Sequence, residues 1–287
     1  MRAVAFHLRR HVGLFTDTGE RLGIEELADR TRAATRAEAV GDDVALARVL
    51  PELIAEADRL VTAVVREGDR EAAAHLRVQG HVVGAGLLRR LGYKDLAWVL
   101  LHRARPGSGE VLPVLVEEVR LLIDLGLPEY ALARAERAEA AGAGHELQTL
   151  VAFAHATAGR RRAADRVLDE VVGQAAHARE LAEAAAARAA VAAEYGDADE
   201  AADHVRATDL AVLNAAQRSR VLVIAATAEA RRGRFEQAAA RVIEADAEAP
   251  FRVRLDPFAR ELLAALVRRT TEQGAAVRHL AEVAGLP

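Results

Sequence analysis

Two histidines near the start of the chain have the spacing of a metal-binding pair. His7 and His11 are four residues apart, so both side chains would lie on one face of a helix, as in two-histidine zinc sites. No glutamate follows His7, the sequence places no third ligand, and the chain contains no cysteine. A solvated basic helix end explains the pair better, and we predict no metal site.

Three closely spaced glycines raise the question of a phosphate-binding loop. Gly80, Gly84 and Gly86 would have to follow a β-strand and open a helix, because such a loop binds phosphate through backbone N–H groups at a helix N-terminus. They lie instead inside a segment whose apolar residues have helical spacing. Close packing of helices is the better explanation, and no cofactor is expected.

The sequence does not gather the groups that catalysis needs. Ser108 and Ser219 are the only serines, and neither lies in the Gly-x-Ser-x-Gly setting of a hydrolase nucleophile. Adjacent acids such as Glu25-Glu26 and Glu117-Glu118 splay around a helix, because residues one apart do not share a face. We expect both pairs on solvated faces, and we expect no enzymatic activity and no catalytic residue.

Composition favours an all-α fold. The 287 residues are rich in alanine, leucine, arginine and glutamate, which are the best helix formers. The formal net charge of −4 leaves no basic footprint for nucleic acid across the chain. The chain has neither an apolar run of about 18 residues, which a transmembrane helix would need, nor the apolar core of a signal peptide. We therefore expect a cytoplasmic protein with no membrane partner.

Small residues recur in phase along the chain. The turn glycines, spaced 34, 33, 37 and 37 residues apart, are Gly92, Gly126, Gly159, Gly196 and Gly233. Each is followed five residues later by an alanine: Ala97, Ala131, Ala164, Ala201 and Ala238. Seven residues before each lies another small or β-branched residue: Ala85, Val119, Ala152, Ala189 and Ala226. This pattern predicts an α-solenoid of about five to seven helical hairpins, because paired helices pack closely where side chains are small.

The segment before the clearest repeat predicts three helices. The first covers residues 24–39 and ends at Gly41, a residue type suited to a helix C-terminus. Asp42 and Asp43 would cap a second helix over 44–50, and Pro51 would begin a third that runs to about residue 66.

We predict two regions in the chain as a whole. Residues 1–20 are an N-terminal basic segment, and residues 21–287 are a superhelical domain. Pro250 and Pro257 would bracket a linker before the C-terminal capping helices, because the ends of such arrays are usually atypical.

The register of glycines and alanines resembles the tetratricopeptide repeat. That resemblance implies a concave wall formed by the first helix of each hairpin, with polar residues facing a ligand. The candidate ligand-binding residues are Gln79, Arg89, Arg90, Arg120, Asp124, Thr149 and Phe153, followed further along by Glu194, Thr227 and Arg231.

Three of the candidate residues are arginines that suggest an anionic ligand. Arg89, Arg90 and Arg120 could clamp a carboxylate or phosphate through bidentate hydrogen bonds. The alternative is that they are ordinary exposed arginines in an arginine-rich protein. Trp98, the only tryptophan, is expected to pack between repeats.

The segment LLRRLGYKDLAWVLLHRA resembles the C-terminal sensor portion of Xre-type transcriptional regulators of high-GC bacteria. The resemblance covers roughly residues 20–250 and implies a regulatory role by sensing. Only about 20 residues precede it, and a helix-turn-helix domain needs about 60. Direct DNA binding by these residues is therefore not expected.

The function implied is a non-enzymatic ligand- or peptide-sensing module in transcriptional regulation. Its partner would be a peptide or protein, and a small-molecule ligand is the other option that the sequence leaves. The alternative is a protein–protein interaction scaffold or a homodimerisation module without a small ligand.

Overall fold

The computed structural model describes residues 23–63, 67–105, 112–142 and 144–286. Every regular element in these ranges is helical, as the abundance of strong helix formers requires. Consecutive helices are joined by short turns into tetratricopeptide-like hairpins, so the predicted all-α fold of helical hairpins is confirmed. The described residues form two compact units, with the boundary between Leu125 and Gly126.

Unit 1 contains five helices among its described residues. They are α1 (Ile24–Val40), α2 (Asp43–Ala63), α3 (Glu67–Arg90), α4 (Lys94–Ala104) and α5 (Leu112–Asp124). Helix α1 packs against α2, and α3 packs against α4. The first helices of successive hairpins, α1, α3 and α5, also contact each other in order, and we call them the A helices of unit 1.

Besides one short 3₁₀ helix, Leu210–Val212, unit 2 contains the remaining α-helices of the described chain. They are α6 (Pro128–Ala140), α7 (His145–Thr157), α8 (Arg161–Gln174), α9 (Ala178–Glu194), α10 (Ala198–Ala207), α11 (Ala215–Arg231), α12 (Phe235–Glu248), α13 (Pro250–Arg254), α14 (Pro257–Val267) and α15 (Gly274–Val283). The hairpins α7–α8, α9–α10 and α11–α12 each pack helix against helix.

The repeat positions predicted from the sequence do what the pattern requires. All five turn glycines have φ between 69° and 83°, in the left-handed region where a Cβ would be strained. The small residues seven positions before them are 0% exposed, and the alanines five positions after them are at most 1% exposed. Small or β-branched side chains are therefore buried at both matching positions of every predicted repeat.

Pro51 lies inside helix α2, so the predicted break at this residue was wrong. Asp42 does cap the helix, since its Oδ1 accepts a hydrogen bond of 2.9 Å from the Ala45 N–H, but one helix then runs to Ala63. A proline in a helix interior costs roughly 3 kcal/mol, because it removes a hydrogen bond and crowds the preceding turn. Leu50 and Leu53 on either side are buried in one core, each contributing about 1.5–3 kcal/mol. The stabilisation from burying these leucines therefore exceeds the cost of the proline in the helix.

Of Gly80, Gly84 and Gly86 on α3, Gly84 has the role in close helix packing that the sequence predicted. A Cβ added at Gly84 would lie 2.9 Å from Ile54 Cδ1 and 3.1 Å from Leu100 Cδ1, so α2 and α4 both approach the helix there. A Cβ at Gly80 would make an ordinary contact of 3.7 Å with Leu53. Gly84 is therefore the position that fixes how closely three helices meet.

The C-terminal region differs in one detail from the prediction. The expected linker between Pro250 and Pro257 contains the short helix α13, because Val253 is buried in the same core as residues of α12, α14 and α15. The predicted N-terminal segment, with His7 and His11, lies outside the described residues, and the predicted domain boundaries stay a prediction. No helix in the described ranges is long and apolar enough to cross a membrane.

Candidate functional site

The A helices of unit 1 bring a set of charged side chains together near their C-terminal ends. We call this set the A-face charged layer; its members are Glu38, Asp43, Arg89, Arg90, Glu117, Arg120 and Asp124. Arginines on α3 reach carboxylates on the helices to either side, so the layer ties the three A helices to one another.

One half of the layer joins α3 to α5. Arg89 Nε donates to Glu117 Oε1 at 2.7 Å, and Arg89 Nη1 donates to Asp124 Oδ2 at 2.6 Å. The second oxygen of Glu117 accepts from Arg120 Nη1 at 3.0 Å. The Glu117 side chain is 5% exposed, whereas those of Arg120 and Asp124 are 30% and 39% exposed. A buried pair therefore holds two surface charges in place.

The other half joins α3 to the α1–α2 hairpin. Arg90 Nη1 lies 3.2 Å from Glu38 Oε1, and Arg90 Nη2 lies 2.9 Å from the buried Asp43 Oδ1. The two halves meet over Gly86, where a Cβ would lie 3.2 Å from Glu38 Oε1 and 3.3 Å from Glu117 Oε1. A glycine at this position lets carboxylates from both sides approach the helix.

The ionic state of the layer follows from these contacts. Burial alone would lower the pKa of Arg89, but the carboxylates of Glu117 and Asp124 outweigh burial and raise it. Burial alone would raise the pKa of Glu117, but Arg89 and Arg120 outweigh it and lower that pKa. Both partners are therefore charged at neutral pH, as a hydrogen-bonded buried ion pair requires.

The residues predicted to bind a ligand fall into three groups. Arg89, Arg120 and Asp124 belong to one hydrogen-bonded network, and Arg90 lies across Gly86 from it. Gln79 is half-buried on α3, more than two turns earlier.

Two more of the predicted residues, Thr149 and Phe153, lie on α7 of unit 2. Thr149 Oγ1 donates to the Glu146 carbonyl oxygen at 2.8 Å. Phe153 packs against a core cluster that contains Ala152 and Leu168. The ligand-binding assignment of these seven residues, and of Glu194, Thr227 and Arg231 further along unit 2, stays a prediction.

Two expectations about exposure were wrong. Glu117 and Glu118 are 4% and 2% exposed, not solvated, because Arg89 and Arg105 on preceding segments neutralise them. Trp98 is 39% exposed and does not fill a packed position, because Ala97, Leu100 and Leu101 form the buried side of α4. Glu25 and Glu26 are exposed as predicted.

A second polar cluster in unit 1 was not found from the sequence. Asp58 on α2 accepts from Arg77 Nε at 2.6 Å and from Arg103 Nη2 at 2.7 Å. His81, which is 0% exposed, contacts the Arg77 carbonyl through Nδ1 at 2.8 Å and lies 3.5 Å from Asp58 through Nε2. Burial lowers the pKa of His81, and the positive charges of Arg77 and Arg103 lower it further. The negative charge of Asp58 acts to raise it. The signal available beforehand was weak, since the four residues are spread over three helices.

The described residues contain no group of three or more histidines and acids arranged to hold a metal ion. A crystal structure of a tetratricopeptide repeat protein from Parabacteroides merdae is similar to this chain at 13% sequence identity and a TM-score of 0.44, over 90% of this chain and 98% of that protein. No protein-family model matches the chain, and no curated protein matches it either. The assignment of tetratricopeptide-like hairpins rests on the helix bounds, turn glycines and buried alanines described above.

Proposed function

We propose that the protein is a non-enzymatic scaffold that binds an extended peptide or a segment of a partner protein on the A helices of unit 1. The observation that carries this proposal is the buried Arg89–Glu117 pair, which holds Arg120 and Asp124 at the surface. Arg120 and Asp124 lie four residues apart on α5, so they face the same side of the helix.

A donor and an acceptor fixed one turn apart suit a peptide backbone. An extended chain presents N–H and C=O groups in alternation, and each must be paired when water is removed. The Asp124 carboxylate can accept from an N–H, and the Arg120 guanidinium can donate to a carbonyl. Because the buried pair already orders both side chains, little further conformational entropy is lost on binding.

The same contacts argue against a free anion as the preferred ligand. The guanidinium groups of Arg89 and Arg90 already contact carboxylates of Glu117, Asp124, Glu38 and Asp43. A phosphate or carboxylate would have to displace these internal partners and approach several negative charges. A backbone segment without net charge meets neither obstacle.

The regulatory context comes from the resemblance of residues 87–104 to Xre-type sensor portions. These residues form the end of α3 and the whole of α4, so they include Arg89 and Arg90 of the charged layer. We propose that partner binding at this face transmits a signal within the cytoplasm, toward transcription.

Peptide selection with the purified chain tests the proposal. A peptide selected from a random library should bind the R120Q/D124N variant about tenfold more weakly, which corresponds to the loss of one or two hydrogen bonds to charged groups. The matched control, R241Q/E244Q, neutralises an exposed arginine–glutamate pair on α12 and should leave affinity unchanged. The proposal would be contradicted if no peptide were selected, or if R120Q/D124N and R241Q/E244Q bound the peptide with equal affinity.

Dimerisation through α4 is a second candidate function. Trp98 and Val99 are adjacent on this helix and 39% and 41% exposed, and tryptophan is enriched in the energetic centres of interfaces. If a second copy covers this face, sedimentation velocity should show a dimer that the W98A/V99A variant loses. A monomer at all concentrations would exclude this candidate.

A further inference from the structure

Two arginines on α8 of unit 2 have no role in the internal ion-pair network. Arg162 and Arg166 are both exposed, and neither has a carboxylate within 4.0 Å in the described structure. They lie four residues apart, and Arg166 Nε donates to the Arg162 carbonyl oxygen at 3.3 Å. This hydrogen bond draws the Arg166 side chain back toward Arg162, so two positive charges share one patch of surface.

The arrangement works against the stability of the helix. Like charges at this spacing destabilise a helix, by about 0.2–0.5 kcal/mol per pair. The first turn of α8 contains no acid and its last turn contains no base, so the helix lacks the charges that its dipole favours at both ends. Folding therefore does not explain the pair.

The neighbouring charges define the patch further. Arg160 and Arg161 extend it, although Arg160 lies 2.6 Å from Glu129 and Arg161 contacts Glu200. Three acids lie on α8: Asp165 lines a small cleft with Arg161, Asp169 is held by Arg188 at 2.6 Å, and Glu170 is exposed four residues after Arg166.

The positive field of the patch reaches the preceding helix. The pKa of His155 on α7 is lowered, chiefly by burial and further by the positive charges of Arg160 and Arg166. The carboxylate of Glu129 acts in the opposite direction.

We propose that Arg162 and Arg166, with Arg160 beside them, form a docking surface for an acidic segment of a partner protein. The pair presents guanidinium groups one helical turn apart, a spacing at which each can bind a separate carboxylate of the partner. Both arginines are exposed and neither lines the cleft beside Arg161, which suits a chain segment better than a small molecule. This proposal goes beyond the peptide site on unit 1, and it stands or falls independently of that site.

A short polyglutamate peptide with a fluorescent label is the probe, and fluorescence anisotropy at physiological ionic strength is the measurement. The wild-type chain should bind it with an affinity that falls as salt rises, as expected for surface charges. The R162A/R166A variant should bind about tenfold more weakly. The matched control R268A/R278A removes two other exposed arginines of unit 2 that have no carboxylate within 4.0 Å, and it should bind like wild type.

A third variant, R162E, separates binding from folding. Glutamate at this position favours the helix dipole and can pair with Arg166 four residues later, so its Tm should rise while its affinity for polyglutamate falls. Equal weakening in R162A/R166A and R268A/R278A would overturn the proposal. So would tighter binding of duplex DNA than of polyglutamate with the same dependence on Arg162 and Arg166, or loss of self-association as the only effect of the substitutions.

Discussion

Glu117 contacts two arginines, Arg89 at 2.7 Å and Arg120 at 3.0 Å, and its side chain is almost fully buried. The E117Q substitution keeps the shape of this side chain and removes its charge. Arg89, which is 15% exposed, would then retain only Asp124 as a counter-charge. Removing one partner of a buried ion pair destabilises a protein by several kcal/mol, and we expect about 3 kcal/mol here because Asp124 remains.

Urea denaturation measures this effect as a lower midpoint at an unchanged slope. The E139Q variant is the control, because Glu139 is exposed on α6 and its neutralisation should change stability by no more than about 0.5 kcal/mol. Equal midpoints for E117Q and wild type would show that Glu117 does not hold the charged layer together.

His81 makes stability depend on pH. Burial lowers its folded-state pKa from the usual value of 6.5, so below that pH the unfolded chain binds a proton that the folded chain does not. Its contribution is therefore complete above pH 6.5 and is lost as the pH falls, with a slope of at most about 1.4 kcal/mol per pH unit.

The urea stability of wild type should thus fall more steeply between neutral and mildly acidic pH than that of H81Q. The quantity compared is the change in unfolding free energy per pH unit in wild type and in H81Q. A uniform loss of stability in H81Q does not alter this comparison. Parallel slopes would mean that His81 is as easily protonated in the folded chain as in the unfolded one.

At the residue scale, the sequence pointed to Arg89, Arg90, Arg120 and Asp124 but not to their neighbours. Their selection came from the tetratricopeptide resemblance, which implies that polar residues of the first helix of each hairpin face a concave wall. The burial of Glu117 depends on Arg89, 28 residues earlier, and pairing between helices is not visible in the period of one helix. Asp58 and His81 were missed for the same reason.

Helix α3 offers a direct test of how closely the hairpins pack. In G84A the new methyl group would meet Ile54 Cδ1 and Leu100 Cδ1 at 2.9 and 3.1 Å, and both side chains are buried, so we expect a loss of about 1–3 kcal/mol. In G80A the methyl group meets Leu53 at 3.7 Å and the helix gains propensity, so we expect a gain of about 0.5–1 kcal/mol.

Thermal unfolding of the two variants in parallel gives opposite signs if this packing is correct. Each variant serves as the control for the other, because the same substitution is made four residues away on the same helix. A gain of stability in G84A would show that α2 and α4 are not held against α3 at this point.

At the element scale, turns were easier to predict than breaks. Gly92 and its equivalents were found because a left-handed helix end admits little besides glycine. Pro51 was misplaced because its local cost competes with the burial of Leu50 and Leu53, which depends on residues far along the chain. The exposure of Trp98 was missed because α4 uses smaller residues for its buried side.

At the scale of the molecule, the described residues form repeated helical hairpins, and the charged side chains are arranged differently in the two units. In unit 1, Arg89 and Arg90 pair with carboxylates, and Arg120 and Asp124 are ordered at the surface by contacts with Glu117 and Arg89. Unit 2 leaves Arg162 and Arg166 unneutralised on α8. The two surfaces suit different partners, a backbone segment without net charge and an acidic segment.

Hydrogen–deuterium exchange of the whole chain, with and without a peptide selected for binding, tests the central claim most directly. The ordered surface of Arg120 and Asp124 predicts that the peptide slows amide exchange in the C-terminal turns of α3 and α5 in wild type and fails to do so in R120Q/D124N. Slower exchange confined to other helices, or the same protection in both proteins, would contradict the claim that the A helices of unit 1 bind the partner.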